Sequence, residues 1–143
     1  MQKHVLMIDD DNQPMKYYVD YLRRRSLKVT MIENPDEALN FLKMQHDEVS
    51  AIILDIMLPP GSYGHKATSA GLRTGIVLYN DLQTLYPDIP VIVLTSVRNP
   101  KTLEAFKEGP LLRLARKRDY PPRELSDLVV RMMENVSDRA NKN

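Results

Sequence analysis

Short apolar runs rich in β-branched residues alternate along this chain with stretches whose apolar residues recur at helical spacing. Few folds accommodate that rhythm. Five runs, Val5–Ile8, Val29–Ile32, Ala51–Leu54, Val91–Leu94 and Leu111–Leu114, are mostly unbroken by polar residues, as strands covered on both faces are; only the last is interrupted, by Arg113. The helical patterns lie between them. Met15, Val19 and Leu22 fall at i, i+4 and i+7. Asn34-Pro35-Asp36-Glu37 reads as cap, first-turn proline and acidic first turn before Ala38, Leu39, Phe41 and Leu42. Leu78, Leu82 and Leu85 mark a third helix, closed by Pro87. Asn99-Pro100 opens a fourth, with Leu103 and Phe106 on one face and Gly109-Pro110 as its stop. After Pro121-Pro122, the series Leu125, Leu128, Val129, Met132, Met133 and Val136 gives the clearest amphipathic period, its methionines read as core packing. Strand followed by helix, five times over, requires crossovers between parallel strands. The expected class is α/β, a five-stranded parallel sheet with helices on both faces.

The chain of 143 residues has the length of one such domain. Residues 1–136 are expected to form it, with 137–143 a frayed tail and no effector domain following. Cysteine is absent, which removes disulfides, thiol chemistry and zinc ribbons. The apolar runs fall far short of the roughly 20 residues of a membrane helix, and the amino terminus has the wrong shape for a signal peptide, so a cytoplasmic location is expected. Net charge is +1, too small to gather nucleic acid. The balance is uneven: residues 1–97 carry 9 basic and 12 acidic side chains, and residues 98–143 carry 11 and 7. Arg113, Arg116, Lys117, Arg118 and Arg123 dominate the second part, either as a solvated face or as a partner surface.

In an open parallel sheet, ligands bind beyond the carboxyl ends of the strands. There the first run is followed by Asp9-Asp10-Asp11, the third by Asp55, the fourth by Thr95-Ser96 and the fifth by Arg116-Lys117-Arg118. Aspartates also cap helices and make turns, so each element alone is weak. Together, crowded carboxylates repel and need a cation between them. An all-oxygen donor set suits Mg²⁺, and an aspartate beside that ion, with a hydroxyl and an ammonium nearby, is equipped to accept a phosphoryl group.

The ordered series Val5-Leu6-Met7-Ile8-Asp9-Asp10-Asp11, Ile52-Ile53-Leu54-Asp55-Ile56-Met57-Leu58-Pro59 and Ile89-Pro90-Val91-Ile92-Val93-Leu94-Thr95-Ser96 resembles the receiver domain of bacterial two-component response regulators, over roughly Lys3 to Val136. The resemblance implies a flavodoxin-like (βα)5 sheet of order 2-1-3-4-5. It implies Asp55 as phosphoacceptor, Asp9 and Asp10 with Asp55 around Mg²⁺, and Thr95 as the hydroxyl that contacts the phosphoryl group. The implied function is a stand-alone switch rather than an enzyme in its own right. It would take phosphate from a sensor histidine kinase or histidine phosphotransfer protein and signal by protein-protein contact, with neither nucleic acid nor membrane as direct partner.

Two departures stand out. The family normally ends strand five with an aromatic residue and then a Lys-Pro pair joined by a cis peptide; here Arg113 stands at the aromatic's expected place, and Arg116, Lys117 and Arg118 all compete for the cation, with Lys117 preferred on chemistry. The second departure is a long connection from Pro59 to Arg73, about a dozen residues more than the resemblance predicts before the junction Thr74-Gly75-Ile76. It is expected to hang over the pocket, either as a lid carrying Lys66 and Arg73 or as a mobile loop, with His65 exposed. Met57 adds an apolar side chain at the same mouth. The competing readings are a pseudo-receiver that binds partners without phosphorylation and an aspartyl-nucleophile phosphatase. The phosphatase expects a second Asp where Met57 stands.

Overall fold

The computed structural model describes residues 2–141. Its five strands, β1 (His4–Ile8), β2 (Lys28–Ile32), β3 (Ala51–Leu54), β4 (Val91–Thr95) and β5 (Leu112–Arg116), form one sheet of order β2-β1-β3-β4-β5. All four pairings are parallel. The helices are α1 (Asn12–Arg24), α2 (Pro35–Gln45), α3 (Gly64–Ala67), α4 (Thr74–Leu85), α5 (Pro100–Leu103) and α6 (Pro122–Asn141). Alternation along each strand divides the core into two layers. Leu6, Ile8, Ile52, Leu54 and Val93 pack against α2, α4 and Leu103 of α5, while Val5, Met7, Ile53, Ile92 and Leu94 pack against α1 and α6. Met132 and Met133 are each 4% exposed and belong to the second layer, so the methionine pairs are core.

Local signals behave as their chemistry dictates at the second helix. The Asn34 side chain accepts from Glu37 N at 2.9 Å and Pro35 fills the first turn. Strand five runs two residues further than its apolar run, through Arg116, because backbone pairing to β4 from Val91↔Leu112 to Thr95↔Arg116 is indifferent to side chains that point outward at a sheet edge. Helix six also continues past Val136 to Asn141, where a frayed tail was expected; residues 142 and 143 lie outside the described residues.

The fourth helix departs most. It ends at Leu103 instead of running to Gly109. Ala105 N and Phe106 N bond to the i−3 carbonyls of Thr102 and Leu103, tightening the chain out of α geometry. The residues that follow are drawn onto the exposed edge of β5: Gly109 and Leu112 form an antiparallel bridge, and Glu108 Oε1 accepts from Leu114 N at 2.8 Å. An edge strand leaves unpaired donors and acceptors, and this segment covers several of them.

The long connection lies along α2 and α4. Ser62 N donates to Asp36 on α2, at 3.0 Å to Oδ2, and the Tyr63 hydroxyl donates to Asp81 on α4 at 2.5 Å. The Thr74 hydroxyl donates to Leu58 O at 2.7 Å, and Ala70 N and Arg73 N bond within the segment. His65 is exposed, as expected.

Gly75 fixes how closely α4 approaches β3. Its N–H donates to Ile56 O at 2.8 Å, and a Cβ at this position would sit 2.2 Å from Asp55 O and 2.6 Å from Ile56 Cα. Those neighbours are backbone and cannot swing aside. Gly75→Ala is therefore expected to destabilise the protein by about 1–3 kcal/mol in a denaturant melt and to shift the amide resonances of Asp55 and Ile56, displacing the end of β3.

Candidate functional site

The sheet order sets β1 between β2 and β3, so the residues just beyond Ile8 and Leu54 are neighbours although some forty-five residues apart in sequence. Asp9 N donates to Ile32 O and Asp55 N to Ile8 O, both at 3.0 Å, which extends the ladders one step past the strands. Asp9 is 1% exposed and Asp55 8%. Asp9 Oδ1 accepts from Asp11 N at 2.9 Å, and Asp55 Oδ1 from Ile56 N at 2.8 Å. One oxygen from each of Asp9, Asp10 and Asp55 lies within 4.8 Å of the others.

Between the two buried acids reaches Lys117, from the turn just after β5. Its Nζ lies 3.0 Å from Asp9 Oδ2 and 3.5 Å from Asp55 Oδ2. Arg116 and Arg118 are exposed, so among the three competing cations it is Lys117 that the fold brings to the aspartates. Lys117 N donates to Thr95 O at 2.9 Å. Thr95 is fully buried, and its hydroxyl accepts from Val97 N at 3.1 Å. Asp9, Asp10, Asp55, Thr95 and Lys117 thus converge at one sheet edge.

The electrostatics follow from burial and crowding. Burial pushes the Asp55 carboxyl up to about 6; Lys117 opposes the rise, Asp9 adds to it, and the Ile56 N–H and Thr95 hydroxyl favour the anion. Partial burial, then Asp9, raises Asp10. Burial works against the charge of Lys117, but Asp55 and Asp9 together more than offset it and hold the ammonium above its ordinary value.

Alternation along β5 corrects the position of Arg113. Leu112 and Leu114 pack on the α4 side, which Val91, Val93 and Thr95 of β4 share, whereas Ala115 packs on the α1 and α6 side. Arg113 shares Ala115's side and pairs with Glu108 at 3.7 Å. Leu114, unlike Arg113, lies on Thr95's face of the sheet. No peptide bond among the described residues is cis. Met57 is 47% exposed. Two contributors escaped the sequence reading. The Ile56 amide, being backbone, has no signature, whereas Tyr18, whose hydroxyl reaches the turn after Lys117, completes the i, i+3, i+4, i+7 stripe of Met15, Val19 and Leu22.

The model of the response regulator receiver domain matches residues 5–115. The chain belongs to the response regulator receiver family. Receiver domains are signalling domains that work with histidine kinases or phosphotransfer proteins, and they generally bind Mg²⁺ in an acidic pocket. This receiver is 26% identical over 96 residues to ARR21, named a two-component response regulator, from Arabidopsis thaliana. The match covers 67% of the chain but only 14% of that protein. Its fold is similar to the signal receiver domain of an HD domain-containing protein from Pseudomonas fluorescens (TM-score 0.78, 18% identity, 99% of this chain and 94% of that one). It is also similar to a CheY-like receiver domain protein from Methanospirillum hungatei (TM-score 0.75, 17% identity, 97% and 99%). Among the described residues, no helix is long and apolar enough to cross a membrane.

The raised Asp55 carboxyl has a consequence for stability. Its folded value, about 6, lies above the unfolded 3.8, so ionised Asp55 opposes folding above pH 6 and the opposition is relieved as pH falls between those values. Asp55→Asn is expected to stabilise the receiver at pH 7 by about 1–3 kcal/mol. In thermal melts that gain should shrink steadily toward pH 4.

Proposed function

We propose that this receiver is a phosphoacceptor switch whose acceptor is Asp55. The observation that carries the reading is the placement of Lys117 Nζ at 3.0 Å from Asp9 and 3.5 Å from Asp55, in a buried acidic site at the carboxyl ends of the strands. An Asp55 oxygen attacks the phosphorus of a phosphohistidine on a sensor histidine kinase or histidine phosphotransfer protein. The phosphorus–nitrogen bond breaks, the imidazole takes back the electron pair and a proton, and an acyl phosphate remains on Asp55. Lys117 neutralises charge on the transferred group, and the buried Thr95 hydroxyl donates to one of its oxygens.

The donors present fit a divalent cation. Asp9, Asp10 and Asp55 offer only carboxylate oxygens, within 4.8 Å of one another, and burial, with the Asp9 charge adding to it, raises the carboxyls of Asp10 and Asp55. These three residues would hold Mg²⁺, and the ion when bound supplies charge neutralisation for phosphoryl transfer. On this reading residues 1–136 are the receiver unit, located in the cytoplasm, and output passes by contact to another protein. Acceleration of its own phosphorylation and dephosphorylation is the extent of its catalysis.

Incubation with acetyl phosphate and Mg²⁺, followed by intact mass and peptide mapping, tests this. The wild-type chain should gain one phosphoryl group on the peptide containing Asp55, labile to base. Asp55→Asn should gain none, and Asp10→Ala should need more Mg²⁺ for the same labelling. A wild-type chain that stays unlabelled while binding its partners unchanged is a pseudo-receiver.

A further inference from the structure

The turn that carries Lys117 is fixed at three points. Lys117 N donates to Thr95 O at 2.9 Å, and Asp119 N and Tyr120 N both donate to Arg116 O at 3.0 Å. The third point comes from another element altogether. The Tyr18 hydroxyl on α1 donates to Tyr120 O at 2.8 Å, across 102 residues of sequence.

Tyr18 is 7% exposed, its ring packed in the layer with Met15, Val19 and Leu22 of α1 and with Leu125 and Val129 of α6. Phenylalanine would fill that space as well. What the hydroxyl adds is a bond from α1 to the backbone beyond Lys117. It lies within electrostatic reach of the Lys117 ammonium and of Asp9, both of which perturb it.

A lysine head on a flexible four-carbon stem samples many rotamers, so its geometry at Asp55 depends on how firmly its backbone is held. The carboxylates of Asp9 and Asp55 hold the head. Thr95 holds the entry to the turn, and the bond from Tyr18 holds its exit, immediately before Pro121-Pro122. Without the Tyr18 hydroxyl, the exit loses its one bond to α1, the helix that opens just after the acidic run Asp9–Asp11.

We propose that Tyr18 is a positioning residue for phosphoryl transfer: by holding the Tyr120 carbonyl, its hydroxyl fixes the turn from which Lys117 reaches Asp55. The inference rests on the reading of Lys117 as the cation of the site, and its test separates the two.

Wild type, Tyr18→Phe, Lys117→Met and the double variant, each as the full chain, are compared for acyl-phosphate formation at saturating Mg²⁺ over a range of acetyl phosphate concentrations. Loss of one positioning hydrogen bond should lower the maximal rate of Tyr18→Phe about threefold to tenfold and leave the half-saturating donor concentration unchanged. The ¹⁵Nζ resonance of Lys117 should move in Tyr18→Phe. In the Lys117→Met background, Tyr18→Phe should cost nothing further. A wild-type rate and an unmoved Nζ resonance in Tyr18→Phe would overturn the proposal, as would equal losses in both backgrounds, since the hydroxyl would then act on the fold and not through Lys117. Lys117→Met at the wild-type rate would remove the cation assignment itself, and the inference with it.

Discussion

Two carboxylates buried side by side, with one ammonium to share, form the constraint around which this receiver is organised. Asp9 and Asp55 sit where the parallel order of β1 and β3 must place the residues after each strand, and each is nearly inaccessible to water. Such a pair costs several kcal/mol per ion unless charge and hydrogen bonds compensate. Compensation comes from three directions: Lys117 after β5, the Ile56 amide beside Asp55, and the Asp11 amide on Asp9. The cancellation is incomplete, and the Asp55 carboxyl remains well above its ordinary value. A site left this way favours a proton or a cation on its oxygens.

The architecture around the site serves to hold this arrangement. Gly75 permits α4 to approach the backbone of Asp55 and Ile56 to within a distance no side chain tolerates, and Thr74 ties the start of α4 to Leu58. The end of β3 is therefore clamped from both sides, by β1 through Ile8 O and by α4 through Gly75 N. The inserted segment does not disturb this clamp, because Asp36 and Asp81 seat it against α2 and α4. An insertion of this length is tolerated thermodynamically, since closure entropy grows only slowly with loop length.

How far the sequence reached depends on whether the deciding interaction was local. Asp9, Asp55 and Thr95 were legible because each follows an apolar run, and parallel strands bring such ends to one edge. Gly75 was legible as a junction, although only the structure supplies its reason, the backbone it abuts. Lys117 was legible only by chemistry, and the register of β5 decides it, since extension of that strand to Arg116 brings the next residue beside Thr95. Strand register also moved the aromatic position from Arg113 to Leu114, which a run broken by one arginine left ambiguous. The short α5 was beyond reach: Leu103 and Phe106 at i, i+3 fit a longer helix equally well. What ended it was competition from a distant edge, where Glu108 and Gly109 pair with β5. For the inserted segment the sequence left a lid and a mobile loop both open, because its seat depends on two carboxylates in other helices, Asp36 and Asp81.

Charge accounting explains why such a site waits for two partners at once. With Asp9, Asp10 and Asp55 ionised against Lys117, the pocket carries a net negative charge, and an incoming phosphoryl group is negative as well. Lys117 alone cannot reverse the sign of the field, because its charge is already divided between Asp9 and Asp55. On the proposed reading, a divalent cation held by the three carboxylates would cancel the remainder, and an ammonium 3.5 Å from Asp55 would then attract the transferred group. On that reading the three carboxylates with their cation and Lys117 would act on one quantity, the local potential at the Asp55 oxygen. Burial makes both contributions large, since in a low-dielectric site each charge is felt far more strongly than at an exposed surface.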